Sequence, residues 1–198
     1  MTASTDSQRY RRISLGLAML LVGLTVAGLL LGSLPLNPWQ TLLHLIDGDP
    51  RLAIIVLEIR LPRVLLGLLV GASLGLSGAA LQGLLRNPLA EPGILGVSAS
   101  AGLGAVLALY FGLARVTVWA LPSCALLGAL LATVILALLA ARDSNPLSLI
   151  LAGVAVSSLA IALTSLALNL APNPLALSEM VLWLLGSLRD RGLSDVAL

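Results

Sequence analysis

Few side chains in this sequence are able to do chemistry. Among 198 residues there is one histidine, His44, one cysteine, Cys124, and no lysine. Without lysine there is neither a phosphate-binding loop of the G-x-x-x-x-G-K type nor a Schiff-base nucleophile. One histidine excludes the H-E-x-x-H helix of a metalloprotease, and one cysteine excludes an internal disulfide. His44 stands near Asp47 and Asp49 in a loop-like stretch, where a metal site is conceivable. Cys124 sits in an apolar run, where a thiol behaves as a small buried hydrophobe. The sequence is read as a non-enzyme with no cofactor and no resident metal.

The remaining charge chemistry is that of arginine. Eleven arginines face nine acids for a formal net charge of +2, a balance that points to no nucleic-acid partner. Arg60 and Arg63 are three apart and share a face if their segment is helical. One role for such a pair is to lay its stems along apolar surface and leave its charges among lipid headgroups.

The elements that position these residues are almost free of charge. The sequence is 59% apolar and 10% charged, and leucine fills 55 positions. A soluble domain carries about a quarter charged residues, so a soluble enzyme and a disordered chain are both excluded. Charge-free windows cover 13–34, 64–85, 92–114, 116–141 and 144–178. A membrane-crossing helix needs about 20 apolar residues. The windows lack the alternation of barrel strands and are rich in Leu and Ala, so helices are expected. The expected fold is all-α, a polytopic transmembrane bundle in one domain over 1–198. Its five complete spans fall at about 13–34, 64–85, 93–114, 116–141 and 147–171. A retained first helix is preferred to a signal peptide, because its apolar core is long and no clear A-x-A site follows.

Pro172, Asn173 and Pro174 break the last window. The apolar stretch 178–188 is too short to span and reads as a re-entrant or interfacial helix, with Trp183 suited to the boundary. Arginines divide five against six between the two sides, which decides nothing. The cluster Arg9, Arg11 and Arg12 before the first span tips the N-terminus to the cytoplasm.

The spans carry small residues at helical spacing. Gly67, Gly71 and Gly75 lie four apart, and Gly96, Ser100, Gly104, Ala108 and Gly112 continue the pattern. Such stripes let membrane helices pack closely. They also suit the lining of a pathway, with Ser73, Ser77 and Ser98 as mild polar groups. Spacing alone leaves both readings open. No span holds a carboxylate or arginine in its interior, which weighs against a proton relay. If this chain moves something, the energy comes from elsewhere.

Four blocks carry a resemblance. They are RLPR at 60–63, SGAALQGLLRNPLAEPGILGVSASAG, LILAGVAVSS at 149–158 and MVLWLLGSL at 180–188. In this order they resemble the FecCD-type permease subunits of bacterial ABC importers for ferric siderophores, haem and vitamin B12. The resemblance implies the N-terminal half of a permease of about ten helices in the cytoplasmic (inner) membrane. Implied partners are a second permease subunit (identical or a paralogue), cytoplasmic ATPase subunits, and a periplasmic or lipid-anchored substrate-binding protein, with membrane lipid around them. It also implies that Arg60 and Arg63 dock the binding protein at the outer mouth, and that Asn87 and Leu89 help form a cytoplasmic gate. The expected cargo is a metal chelate, most readily a ferric siderophore, with haem or vitamin B12 as alternatives.

Family members are much longer, and this sequence stops where a sixth span should begin. The expectation is a truncated chain that lacks the later ATPase-docking loop. Two readings of other classes remain. A secondary carrier would show inverted repeats and a mid-membrane charge or broken helix. The other is a membrane protein that does not transport.

Overall fold

The computed structural model describes residues 3–31, 39, 54–142, 145–188 and 191–196. All regular structure among them is helical. We number the helices α1 (Ala3–Leu30), α2 (Leu61–Leu85), α3 (Val97–Tyr110), α4 (Ala120–Arg142), α5 (Pro146–Asn169), α6 (Pro174–Leu185) and α7 (Leu193–Val196). A π-helical stretch, Ile55–Arg60, leads into α2, and 3-10 turns at Pro92–Leu95 and Leu113–Arg115 flank α3.

Among the described residues four helices are long and apolar enough to cross a membrane: Ser7–Leu30, Ile55–Leu85, Ala120–Arg142 and Leu147–Asn169. The all-helical, multi-span architecture is as expected, but of the five expected spans only four are long enough to cross by themselves. The window expected to span at 93–114 yields only the 14 residues of α3. Pro92 opens the preceding 3-10 turn. Gly96 (φ 74°) and Gly112 (φ 68°) then take left-handed conformations that an α-helix cannot continue through. The short apolar helix starts at Pro174 rather than 178 because Asn173 caps it.

The starts of α5 and α6 share one local device. Asn145 Oδ1 accepts from the Leu147 N–H at 3.0 Å, and Asn173 Oδ1 accepts from the Ala176 N–H at 2.8 Å. Proline follows each asparagine at the first helical position, where its missing N–H costs nothing.

The chain divides into two compact units, one of Met1–Gly71 with Leu188–Leu198 and one of Ala72–Ser187. In the first, the C-terminal end of α1 meets the entry to α2. A Cβ on Gly28 would lie 3.1 Å from Val64 Cγ2, and Pro62 is fully buried.

In the second unit α3 is central and packs on α4, α5 and α6. Its small residues make this possible. Gly104 lies against the Cys124 carbonyl and Gly128 against the Ser100 carbonyl, with no room for a Cβ at either glycine. Ser100 and Gly104 thus face Gly128 and Cys124 in an antiparallel small-residue pair. Farther along, a Cβ on Gly153 of α5 would be 2.8 Å from Leu95 Cα. The core joins Val106 of α3, Ala167 of α5, and Ala176 and Met180 of α6. Most long apolar side chains of α4 and α5 point outward, as in helices that face lipid.

Candidate functional site

Arg60 ends the π-helical stretch and is buried, with 7% of its surface exposed. Its guanidinium Nη1 donates to the carbonyls of Leu29 at 3.0 Å and Leu30 at 2.7 Å. These carbonyls belong to the last turn of α1, where a helix runs out of its own donors. A cation there also meets the negative end of the helix dipole. Arg60 therefore caps α1 from the entry to α2. Arg63, three residues on, is only half-buried, and its buried Nε has no hydrogen-bond partner among the described residues. The two arginines sit in one unit but in different environments.

The glycines of α2 and α3 also separate. A Cβ added at Gly67, Gly71 or Gly75 would have nothing within 4 Å, so this stripe meets no helix among the described residues. Ser77 Oγ turns back to the Leu74 carbonyl at 3.1 Å. Ser98 is exposed. Gly96, by contrast, is pressed against α5, where a Cβ would lie 2.6 Å from the Ser157 nitrogen.

The loop after α2 is built by hydrogen bonds. Arg86 adopts φ 48° just past the helix end. Asn87 Oδ1 accepts from the Leu89 N–H at 2.9 Å, and Gln82 Nε2 donates to the Ala90 carbonyl at 3.4 Å. This is the same asparagine-first turn that starts α5 and α6. Here Pro92 holds Glu91 extended (φ −125°, ψ 136°), so the turn does not run on into an α-helix and the 3-10 turn Pro92–Leu95 begins instead. Ala90 is buried beneath the turn, and Leu89 projects from it with 84% of its surface exposed. Asn87 and Leu89 are thus brought together on one turn. No ion pair joins Arg86 to Glu91.

His44, Asp47 and Asp49 lie outside the described residues. Among the described residues no group of three His, Cys, Asp or Glu could hold a metal ion. Cys124 is a free, half-buried thiol on α4. An open groove of about 360 Å³ runs between α3, α4 and α5, lined by Leu103, Leu107, Leu131, Ile135, Leu159 and Leu163. Its walls suit an acyl chain or another helix, not a polar chelate. Sequence reasoning missed the capping role of Arg60 and the contact at Gly128. The second had a signal, since Cys124-x-x-x-Gly128 mirrors Ser100-x-x-x-Gly104.

Long apolar helices and glycine-mediated packing among the described residues define a multi-pass membrane protein. The chain belongs to the FecCD transport family, whose model matches residues 19–198. It is 44% identical over 147 residues to a vitamin B12 import system permease protein BtuC of Escherichia coli, covering 73% of this chain and 45% of that protein. A BtuC of another Escherichia coli strain is 39% identical over 189 residues, covering 94% of this chain and 55% of the relative. A solved structure described as an inward-facing conformation of a metal-chelate type ABC transporter superposes with a TM-score of 0.78 at 33% identity. That superposition covers 95% of this chain and 57% of the other. The chain spans about half the length of the curated relatives it matches.

Proposed function

We propose that this chain is the N-terminal part of a permease subunit, one domain of an ATP-driven importer that moves a metal chelate across the cytoplasmic membrane. The observation that carries this reading is the family match over residues 19–198. The energy comes from partners. ATP is hydrolysed in separate cytoplasmic ATPase subunits, a second permease subunit completes the pathway, and a periplasmic or lipid-anchored binding protein delivers cargo. The N-terminus, with Arg9, Arg11 and Arg12, lies in the cytoplasm.

Within this reading the RLPR segment forms the docking mouth. Arg63 supplies the charge offered to acidic groups of the binding protein, and Arg60 holds the segment in place. Asn87 and Leu89 form a cytoplasmic constriction, supported by the turn that ties Asn87 Oδ1 to the Leu89 N–H. The open glycine stripe Gly67, Gly71 and Gly75, with Ser77, faces the pathway or a neighbouring helix.

Two cargoes fit a metal chelate. The likeness to vitamin B12 permeases supports a corrinoid. The alternative is a ferric siderophore, the cargo favoured on sequence grounds alone. Radiolabelled uptake separates them in a strain deleted for the gene encoding this chain and complemented with it. Uptake that needs ATP but survives collapse of the proton gradient supports the importer. Uptake that follows the gradient instead supports a secondary carrier, and no restored uptake of either cargo overturns the proposal.

A further inference from the structure

Residues 111–119, between α3 and α4, are unlike the polar connections that join helices in water. Their sequence, FGLARVTVW, has one charge, Arg115. Phe111, Val116, Val118 and Trp119 are all exposed, Val116 at 80% and Val118 at 88%. An apolar stretch of this kind is costly in contact with water.

Its backbone satisfies itself only in part. The Phe111 and Gly112 N–H groups donate to the Leu107 and Leu109 carbonyls at 3.0 and 3.1 Å. Arg115, Val116 and Ala120 donate to Gly112, Leu113 and Thr117 carbonyls at 3.0–3.1 Å. The Trp119 N–H reaches Thr117 Oγ1 at 3.4 Å. The N–H groups of Leu113, Ala114, Thr117 and Val118 have no partner among the described residues, which suits the headgroup boundary, where water still reaches, and not the hydrocarbon.

The length of α3 supplies the second argument. Its 14 residues rise about 21 Å, against about 30 Å of hydrocarbon in a bilayer. The 23 residues of α4, in the same unit, rise about 34 Å. Leu126, Leu127 and Leu130 of α4, a few residues farther along the chain, are also exposed.

We infer that residues 111–119 form an interfacial anchor, folded into the boundary between headgroups and acyl chains, that completes the crossing α3 leaves short. The partner is phospholipid. Phe111 and Trp119 occupy the boundary that aromatic rings favour, Val116 and Val118 enter the outermost acyl region, and Arg115 extends to the headgroups.

The test uses the full chain with Trp39→Phe and Trp183→Phe, which leaves Trp119 as sole tryptophan, in vesicles of phosphatidylcholine and phosphatidylglycerol. Lipids brominated near the headgroup should quench Trp119 several-fold more than lipids brominated at the chain end, and aqueous iodide should quench little. Dominant iodide quenching places the segment in water and overturns the anchor. Stronger quenching from the chain end buries it too deeply and also overturns it. Quenching by none of the three means that protein covers Trp119, which overturns the anchor as well. A spin label on Val118→Cys in a Cys124→Ala background gives a second reading. The anchor requires more collisions with oxygen than with a water-soluble nickel chelate, and the reverse order refutes it.

Discussion

A guanidinium set against the last carbonyls of a helix acts both as hydrogen-bond donor and as counter-charge to the dipole. At Arg60 both effects operate with little solvent screening, because the side chain is buried. Replacing Arg60 with Met keeps the length and removes both hydrogen bonds to the Leu29 and Leu30 carbonyls, at a cost on the order of 2 kcal/mol. The expected result is slower disulfide cross-linking between Gly28→Cys and Val64→Cys in a Cys124→Ala background, since the end of α1 is no longer held on α2. Arg60→Lys should retain much of the rate through its remaining donors. Equal rates for Met and parent would show that the cap does not hold the two helices. Arg63 is expected to behave differently. In the assembled importer Arg63→Glu should weaken binding-protein docking in a salt-sensitive way and leave that cross-link unchanged. Unaltered docking would remove Arg63 from the mouth.

At the scale of elements, helices here are started by asparagine and joined by glycine. Asn173→Ala removes the acceptor for the Ala176 N–H, and a lost N-cap costs about 1 kcal/mol. Because α6 carries Met180 into the core, the variant should unfold at lower temperature or lower denaturant than the parent. The glycines divide by what they face. Gly104→Leu and Gly128→Leu each drive a side chain into a carbonyl of the neighbouring helix, so both should collapse the α3–α4 pair and reduce the folded yield sharply. Gly71→Ala meets open space and should be neutral or stabilising by about 0.5–1 kcal/mol, the usual gain for alanine in a helix. A normal yield from Gly104→Leu would show that α3 and α4 are not in backbone contact.

At the scale of the whole molecule, the four long apolar helices among the described residues define a chain that belongs in a bilayer. It should stay with the membrane fraction after alkaline carbonate extraction; release into the supernatant would contradict multi-pass insertion. The arginine count leaves orientation balanced, and only the N-terminal cluster breaks the tie. A Tyr10→Cys label, in a Cys124→Ala background, should therefore react with an impermeant reagent from the cytoplasmic side alone. Reaction from the outer side would invert the topology.

Much of this is legible in the sequence. The lack of charge over five windows forces apolar helices, because a backbone in lipid has to satisfy its own hydrogen bonds. The spaced small residues of α3 mark a packing face, whereas Asn-Pro pairs do not by themselves mark helix starts, since Asn173-Pro174 begins α6 and Asn87-Pro88 begins no α-helix. Those features are local, since composition and near-neighbour spacing determine them. Three others depend on residues far apart in sequence. Arg60 becomes a cap only when the end of α1, some thirty residues earlier, comes within hydrogen-bond reach. Gly128 becomes a contact only when α4 folds back on α3, whereas the equally regular stripe of Gly67, Gly71 and Gly75 meets no helix among the described residues. The third window loses full helical length because Gly96 and Gly112 take left-handed conformations, and Gly96 does so in backbone contact with α5. Sequence by itself determined that these segments are helices of a membrane protein. Only the tertiary structure decided which small residues and which arginine are used to hold them together, because that choice is made by the surface each one meets.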